Sequence, residues 1–358
     1  MRGGASVVLP CRLCCNLNEN ASRRPQRKVV RSGIARELQM RIGVLRTNNP
    51  LYGGGRYELM VVEALTSEHT VTLCDARSWL PYGYMLQMFA RTALAERRTS
   101  VDLWIRNEAA LTFMMSKRSS RHVAIIHHLD DPLRPMRIWN RLLDRRLLPN
   151  ARRCDRVVVV SRYWQNYLAE LGIENTEVIY NAFDVRRFAV SEDEVRAFRE
   201  RHGLNGKPVI YVGNCRQRKG APAVWRALRH HGYHLVTSGL ADVSLPIRAF
   251  LLPYDQYILL LAASDVAVTM SEFNEGWSRT AHEALLCKTP VVGSGTGGMG
   301  ELLKGGGQLI CQQVAELPQI IRQAVARRRE LGIQGHAFAS HFTVDQFNRQ
   351  WLGLIASL

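Results

Sequence analysis

At 358 residues and 46% apolar side chains, the sequence holds enough material for roughly two packed domains. No uncharged apolar run approaches the roughly 18 residues of a membrane span; the nearest, residues 257–270, is short and interrupted by Asp265. A formal net charge of +17 calls for an anionic partner, whether nucleic acid, anionic lipid or phosphorylated substrate, and eight scattered cysteines give no disulfide framework, which fits the cytoplasm.

Residues 1–39 differ from the rest. They carry Arg23, Arg24, Arg27, Lys28 and Arg31 without sustained periodicity, and read as a disordered segment or an upstream extension, with Met40 a natural first residue. Cys11, Cys14 and Cys15 lack the second cysteine or histidine pair that a zinc site needs. Residues 40–46 form a short buried strand. Gly53, Gly54 and Gly55 follow, where the missing side chains allow a ligand close to the backbone or simply make a turn. Their spacing is not the G-x-G-x-x-G fingerprint, so NAD is not expected. A helix over 56–65 and a strand over 69–74 complete a βαβ unit. A helix at 82–98 and strands at 101–105 and 122–126 come next. His127 and His128 stand at the carboxyl end of that last strand, where α/β sheets bind ligands; two surface histidines in a loop would look the same, and an H-x-x-D metal site lacks a third ligand.

Residues 134–156 hold eight arginines against Asp144 and Asp155. On a helix, Met136, Trp139, Leu143 and Leu147 form one stripe, and Arg134, Arg137, Arg141 and Arg145 another. That pattern suits a helix lying on an anionic membrane, and equally a solvated face over a core. A strand at 155–161 ends in Ser161, placed to cap a helix at 163–171. A strand at 177–180 closes this half, and residues 189–207 are charged and linker-like with one short helix. The second half opens with a strand at 208–213 and a loop, 214–220, carrying Arg216, Arg218 and Lys219. A helix at 223–231 follows, then strands at 234–239, 247–252, 265–270 and 308–311, a helix at 314–330 and a closing helix at 344–358.

The stretch 271–301 concentrates the chemistry. Glu275 and Glu283 are separated by seven residues; Gly276 offers a tight turn; 278–287 reads as a helix that Ser278 or Thr280 can cap; a strand begins at Val291, and a glycine loop leads to Glu301, which opens the next helix. Strand, acidic loop, helix, strand and glycine loop again make a βαβ unit, with backbone N–H groups at the helix start suited to a phosphate. The two glutamates then suit sugar and ribose hydroxyls. A Thr280–Glu283 capping box, with Glu275 as a charge on the helix dipole, accounts for the spacing equally well.

Glu275-Gly276-Trp277, Glu283-Ala284, Thr289-Pro290-Val291-Val292 and Gly297-Gly298 through Glu301 resemble the donor-site signature of the retaining family-4 glycosyltransferases of the GT-B fold. Ser278 replaces a usual glycine, and Lys288 stands where a glycine often precedes Thr-Pro. Residues 181–188 (NAFDVRRF) resemble the family's N-G-V-D-x-x-x-F segment, with Ala182 for glycine. The resemblance covers 40–358. It implies an α/β protein of two Rossmann-like domains facing across a cleft: an acceptor domain at 40–188, a nucleotide-sugar domain at 189–343, and a helix at 344–358 crossing back to the first.

The same resemblance implies the site. Gly54 and Gly55 would face donor and acceptor, and His127 would contact the donor sugar, with His128 as the fallback. Lys219 would neutralise the diphosphate without metal or other cofactor, Arg216 or Arg218 supplying the charge the family carries where Asn214 stands here. Phe250 and Leu251 would border the nucleobase. Glu275, Gly276, Trp277, Ser278 and Glu283 would hold the donor, Glu275 at the sugar hydroxyls and Glu283 at the ribose diol. The implied reaction transfers a hexose from a nucleotide diphosphate sugar to a hydroxyl of an acceptor glycan or glycolipid, with retention, in cell-surface polysaccharide or glycolipid synthesis. Arg137, Arg141 and Arg145 would bring the protein to the inner face of a membrane as a peripheral protein. A nucleotide-sugar epimerase on the same fold and a non-catalytic basic binding protein are the alternatives. Nucleic acid is not an expected partner, since no aromatic-basic interleaving or known module accompanies the charge.

Overall fold

The computed structural model describes residues 39–47, 53–78, 84–114, 120–129 and 137–358, with the backbone alone for 84–85 and 137–144. The expectation for residues 1–38 lies outside the described residues. The first half runs β1 (Arg41–Arg46), α1 (Gly53–Thr66), β2 (Thr70–Asp75), α2 (Tyr84–Arg98), β3 (Leu103–Asn107), α3 (Glu108–Thr112), β4 (Arg121–Ile126), α4 (Arg137–Arg152), β5 (Arg156–Val159), α5 (Arg162–Glu170) and β6 (Thr176–Val178). The segment α6 (Glu192–Arg201) links it to the second half: β7 (Val209–Asn214), α7 (Ala221–Leu228), β8 (His234–Ser238), β9 (Arg248–Phe250), α8 (Tyr254–Ala262), β10 (Val266–Thr269), α9 (Arg279–Leu286), β11 (Val291–Gly293), α10 (Gly298–Gly305), β12 (Leu309–Ile310), α11 (Leu317–Ala326), α12 (Arg328–Ala339) and α13 (Val344–Ala356).

The strands build two six-stranded sheets, ordered β2-β1-β3-β4-β5-β6 and β12-β11-β10-β7-β8-β9, and every pairing is parallel. Helices cover both faces of such sheets, so central strands are apolar throughout: β3, β5 and β10 are buried along nearly their whole length. Strand order reverses between β1 and β3 in the first sheet and between β7 and β10 in the second. Loops leaving the carboxyl ends of those strands therefore flank a crevice in each half.

Two crossings of the chain tie the halves together. Phe183 N–H donates to the Phe342 carbonyl at 3.0 Å, where the outgoing and returning segments run side by side. The returning helix α13 then packs on α1, with Tyr57 edge-on to Phe347 at 5.2 Å and to Trp351 at 6.4 Å. This is the closing helix expected from the resemblance. One apolar core runs through Tyr57, Phe183, Trp277, Phe347 and Trp351, drawing on both halves.

Several local expectations are corrected. Gly53, Gly54 and Gly55 form the first turn of α1 rather than a loop before it. Helices α3 and α8 were not anticipated, and the helix expected at 314–330 breaks at Arg327 between α11 and α12, most of α12 lying beyond it. Ser161 and Ser278 do stand at the N-cap positions of α5 and α9, but neither side chain makes a capping bond.

Candidate active site

In the second half the β7 and β10 loops meet through Gly220. Its left-handed φ of 71° excludes most side chains, and a Cβ there would lie 2.2 Å from the Met270 carbonyl oxygen. That approach sets Lys219 beside Glu275: Nζ lies 2.9 Å from Oε2, and the Ser271 hydroxyl donates to Oε1. Burial alone would raise the Glu275 carboxyl, but the Lys219 ammonium and the Ser271 hydroxyl hold it below the ordinary glutamate range. The pair is one-third exposed at the lysine and buried at the glutamate. Arg218 and Lys219 lie over the Phe273 ring at 4.5 and 5.0 Å, and the His128 ring reaches the same phenyl at 5.8 Å.

Glu283 sits on the inner face of α9. Its oxygens accept the phenols of Tyr254 at 3.0 Å and Tyr257 at 3.1 Å, both from α8, and Arg279 stands 3.7 Å away. Burial outweighs these partners and raises its pKa. Arg279 also donates to Asn181 at 3.1 Å and lies 4.3 Å over Phe183, and a Cβ on Gly53 would come 3.3 Å from its Cδ. The amino ends of α1 and α9 therefore converge from opposite halves.

In the first half His127 is buried at the end of β4. Its backbone N–H and its Nδ1, 3.2 Å away, both reach Glu108 Oε1 at the start of α3. The Nε2 atom is buried without a hydrogen-bond partner among the described residues. Gly276 packs directly on this residue, since a Cβ there would lie 2.2 Å from the His127 carbonyl oxygen. The glycine of the acidic loop thus serves close approach between halves. Glu275 is fixed by its backbone as well: its carbonyl accepts Gly298 N–H at 2.8 Å and the Trp164 indole N–H of α5 at 3.1 Å. Glu301 reaches the other way. Its Oε2 accepts the Arg162 and Tyr163 N–H groups at 2.8 and 3.4 Å, and its Oε1 accepts the Tyr180 hydroxyl. It caps α5 in place of Ser161.

Lys219, Arg218, Glu275, Gly276, His127 and His128 are thus brought together, with Glu283 and Gly54 on the two converging helices. Asn214 ends β7, its amide oxygen 3.5 Å from the Tyr211 hydroxyl, and Arg216 precedes the Lys219 turn. Trp277 is 94% buried against Tyr180 and Phe342 at 5.0 and 5.3 Å, its indole donating to His282. Ser278 is buried beside it. Phe250 packs on Phe198 and His202 in the core, while Leu251 is 80% exposed. Arg145 is exposed on α4; the side chains of Arg137 and Arg141 lie outside the described residues. Sequence reasoning missed Glu108, Trp164 and the cap made by Glu301, whose roles appear only through pairings 19 to 139 residues apart.

Two doubly wound parallel sheets, joined by a returning helix and facing across a crevice lined with cations and carboxylates, make up the architecture called the GT-B fold. Residues 69–187 match the model of Glycosyltransferase Family 4. YtcC of Bacillus subtilis (strain 168), a provisionally assigned glycosyltransferase, is 23% identical over 289 residues, 71% of this chain and 70% of that protein. Among solved structures, Anabaena HepE in complex with UDP-glucose superposes with a TM-score of 0.72 at 21% identity, over 89% of this chain and 100% of that one. Sucrose-phosphate synthase from Thermosynechococcus elongatus gives 0.76 at 17% identity, over 89% and 99%. Together these superpositions show that the chain shares the GT-B fold.

Proposed function

We propose that the protein transfers a hexose, with retention, from a uridine diphosphate sugar to a hydroxyl of a glycan or glycolipid acceptor in cell-surface polysaccharide or glycolipid synthesis. The observation that carries this reading is the Lys219–Glu275 pair at the β7/β10 crevice, held against His127 by Gly276. HepE, with a similar fold, binds UDP-glucose, which makes that donor the first to try.

In this reading the departing diphosphate lies over Lys219 and Arg218, with Arg216 nearby, and their fixed charge stabilises the leaving group. Three cations on one short loop supply what a divalent metal would, so we infer transfer without one. Glu275 accepts hydroxyls of the sugar, and His127 Nε2 takes another of its oxygens. Glu283 holds the ribose diol. A carboxylate has about four lone-pair sites, so it can accept two hydroxyls while keeping both tyrosines. Gly54, in the first turn of α1, lets the acceptor side approach the backbone.

The test is an NMR assay with UDP-glucose and alkyl glycoside acceptors, run with and without chelator, on wild type and Lys219→Ala. The expected outcome is an α-linked product, chelator-insensitive, formed at least about a hundredfold more slowly by the variant, the size seen when one charge-stabilising donor is lost. A β-linked product would overturn retention. Activity lost with chelator and restored by magnesium or manganese would overturn metal independence. Donor isomerised without acceptor would make the protein an epimerase.

A further inference from the structure

His127 has an unusual setting that the donor site alone does not require. Its Nδ1 is 3.2 Å from Glu108 Oε1, and the same oxygen accepts its backbone N–H. A carboxylate can only accept, so Nδ1 must carry a proton. We propose that Glu108 is the positioning residue of this site: it fixes His127 as the Nδ1–H form and keeps the ring protonated, so that Nε2–H is a hydrogen-bond donor to the sugar nucleotide and not a base. This deepens the transferase reading above and rests on it for the identity of the ligand.

The geometry supports each part. Glu108 is the first residue of α3, where Asn107 caps the helix by accepting Ala110 N–H at 3.0 Å, and the positive end of that short turn adds to the pull on the carboxylate. The Asn107 amide is itself anchored, accepting from Thr47 at 2.7 Å and donating to Glu58 at 2.7 Å. Strand β3 therefore ends in a hydrogen-bonded turn that carries Glu108 beside His127. Around the ring stand Glu108 from α3, Glu58 and the edge of Tyr57 (5.3 Å) from α1, His128 next in the chain, and Gly276 from the second half. Glu275 and Lys219 beyond Gly276 act on His128. Two of the charged groups facing His127 are carboxylates. Burial by itself would lower the imidazole, but Glu108 and then Glu58 override it and raise it. Burial would likewise raise Glu108, and His127 holds it down to about 2. The buried Nε2, without a hydrogen-bond partner among the described residues, is then placed to donate to an oxygen whenever the ring is protonated, at the end of a strand where ligands bind.

The experiment is a pH titration of the full-length protein labelled with 15N-histidine, with His127→Gln used only to assign the resonance. It is repeated on Glu108→Gln and on Glu108→Asp. Wild type should titrate above 6.5 and show the Nδ1–H form once neutral. Glu108→Gln should titrate lower by roughly one to three pH units, the size of effect one adjacent charge gives, with Glu108→Asp restoring most of it. The alkaline limb of kcat for UDP-glucose should move by the same amount while KM changes little. A wild-type ring that titrates at or below 6.5, a neutral Nε2–H form, or an unchanged pKa in Glu108→Gln would overturn the proposal. If Glu108→Gln does not fold, the wild-type titration and neutral form decide alone. The NMR readout needs no substrate: a raised, Nδ1–H His127 in a protein that turns over no nucleotide sugar would uphold Glu108 and sink the transferase reading.

Discussion

Glu283 shows how a single residue's setting decides its use. Two phenols, one guanidinium and full burial make it an oriented acceptor with a raised pKa. In the proposed function it would hold the ribose diol as a carboxylate. Nucleotide affinity should therefore weaken as pH falls through the raised pKa, beginning at a higher pH than an ordinary glutamate near 4.5 would give. Glu283→Ala should lower affinity tens-fold, since a charge-assisted hydrogen bond is worth about 1.5–3 kcal/mol. Calorimetric titration of UDP checks both; a folded variant with wild-type affinity would remove Glu283 from the site. Gly276 carries a related lesson. The sequence shows a glycine after a glutamate, which suggests a turn. The structure shows that its neighbour is the His127 carbonyl oxygen, so the residue is fixed by a contact between halves that no local pattern contains.

At the scale of elements, strands and amphipathic helices were readable because burial imposes their periods. The β7, β10 and β11 strands and helix α9 stand where the apolar runs and the Thr-Pro stop put them, within a residue or two. What was not readable has identifiable causes. Helix α3 is five residues long, too short for a period to show. The break at Arg327 uses neither glycine nor proline, so the expected helix ran through it to residue 330 and the rest of α12 went unassigned. Helix α8 is an apolar run that fits strand or helix alike. The caps failed for a third reason: both serines occupy the expected positions, yet α5 is capped by Glu301 from the other half. That cap is testable. Glu301→Ala should cost about 1–2 kcal/mol, the upper range for a lost N-cap, because it also leaves the Tyr180 hydroxyl without its carboxylate. Urea unfolding should show a lower midpoint; an unchanged midpoint would mean water replaces the carboxylate without loss.

For the whole molecule, the site explains only part of the +17 charge. Among the described residues no helix is long and apolar enough to cross a membrane. Helix α4 keeps the basic stripe on its backbone, with Arg145 exposed. We therefore propose that α4 meets an anionic membrane carrying a lipid-linked acceptor, each basic residue near the surface contributing about 1 kcal/mol. Co-sedimentation with phosphatidylserine vesicles should occur at low salt, fall at high salt, and fall in the Arg137→Gln, Arg141→Gln, Arg145→Gln triple variant. Binding that is absent, or indifferent to salt and to the variant, would make the stripe a solvated surface. The central claim, that the crevice between the two sheets holds a nucleotide diphosphate sugar, is tested most directly by thermal unfolding against a panel of uridine, guanosine and adenosine diphosphate sugars. A ligand that binds only the folded state adds about 2.7 kcal/mol at a hundred times its Kd. The account predicts that a uridine diphosphate sugar raises Tm in a concentration-dependent way and that Lys219→Ala blunts the shift. A panel that leaves Tm unmoved at millimolar concentration would contradict it.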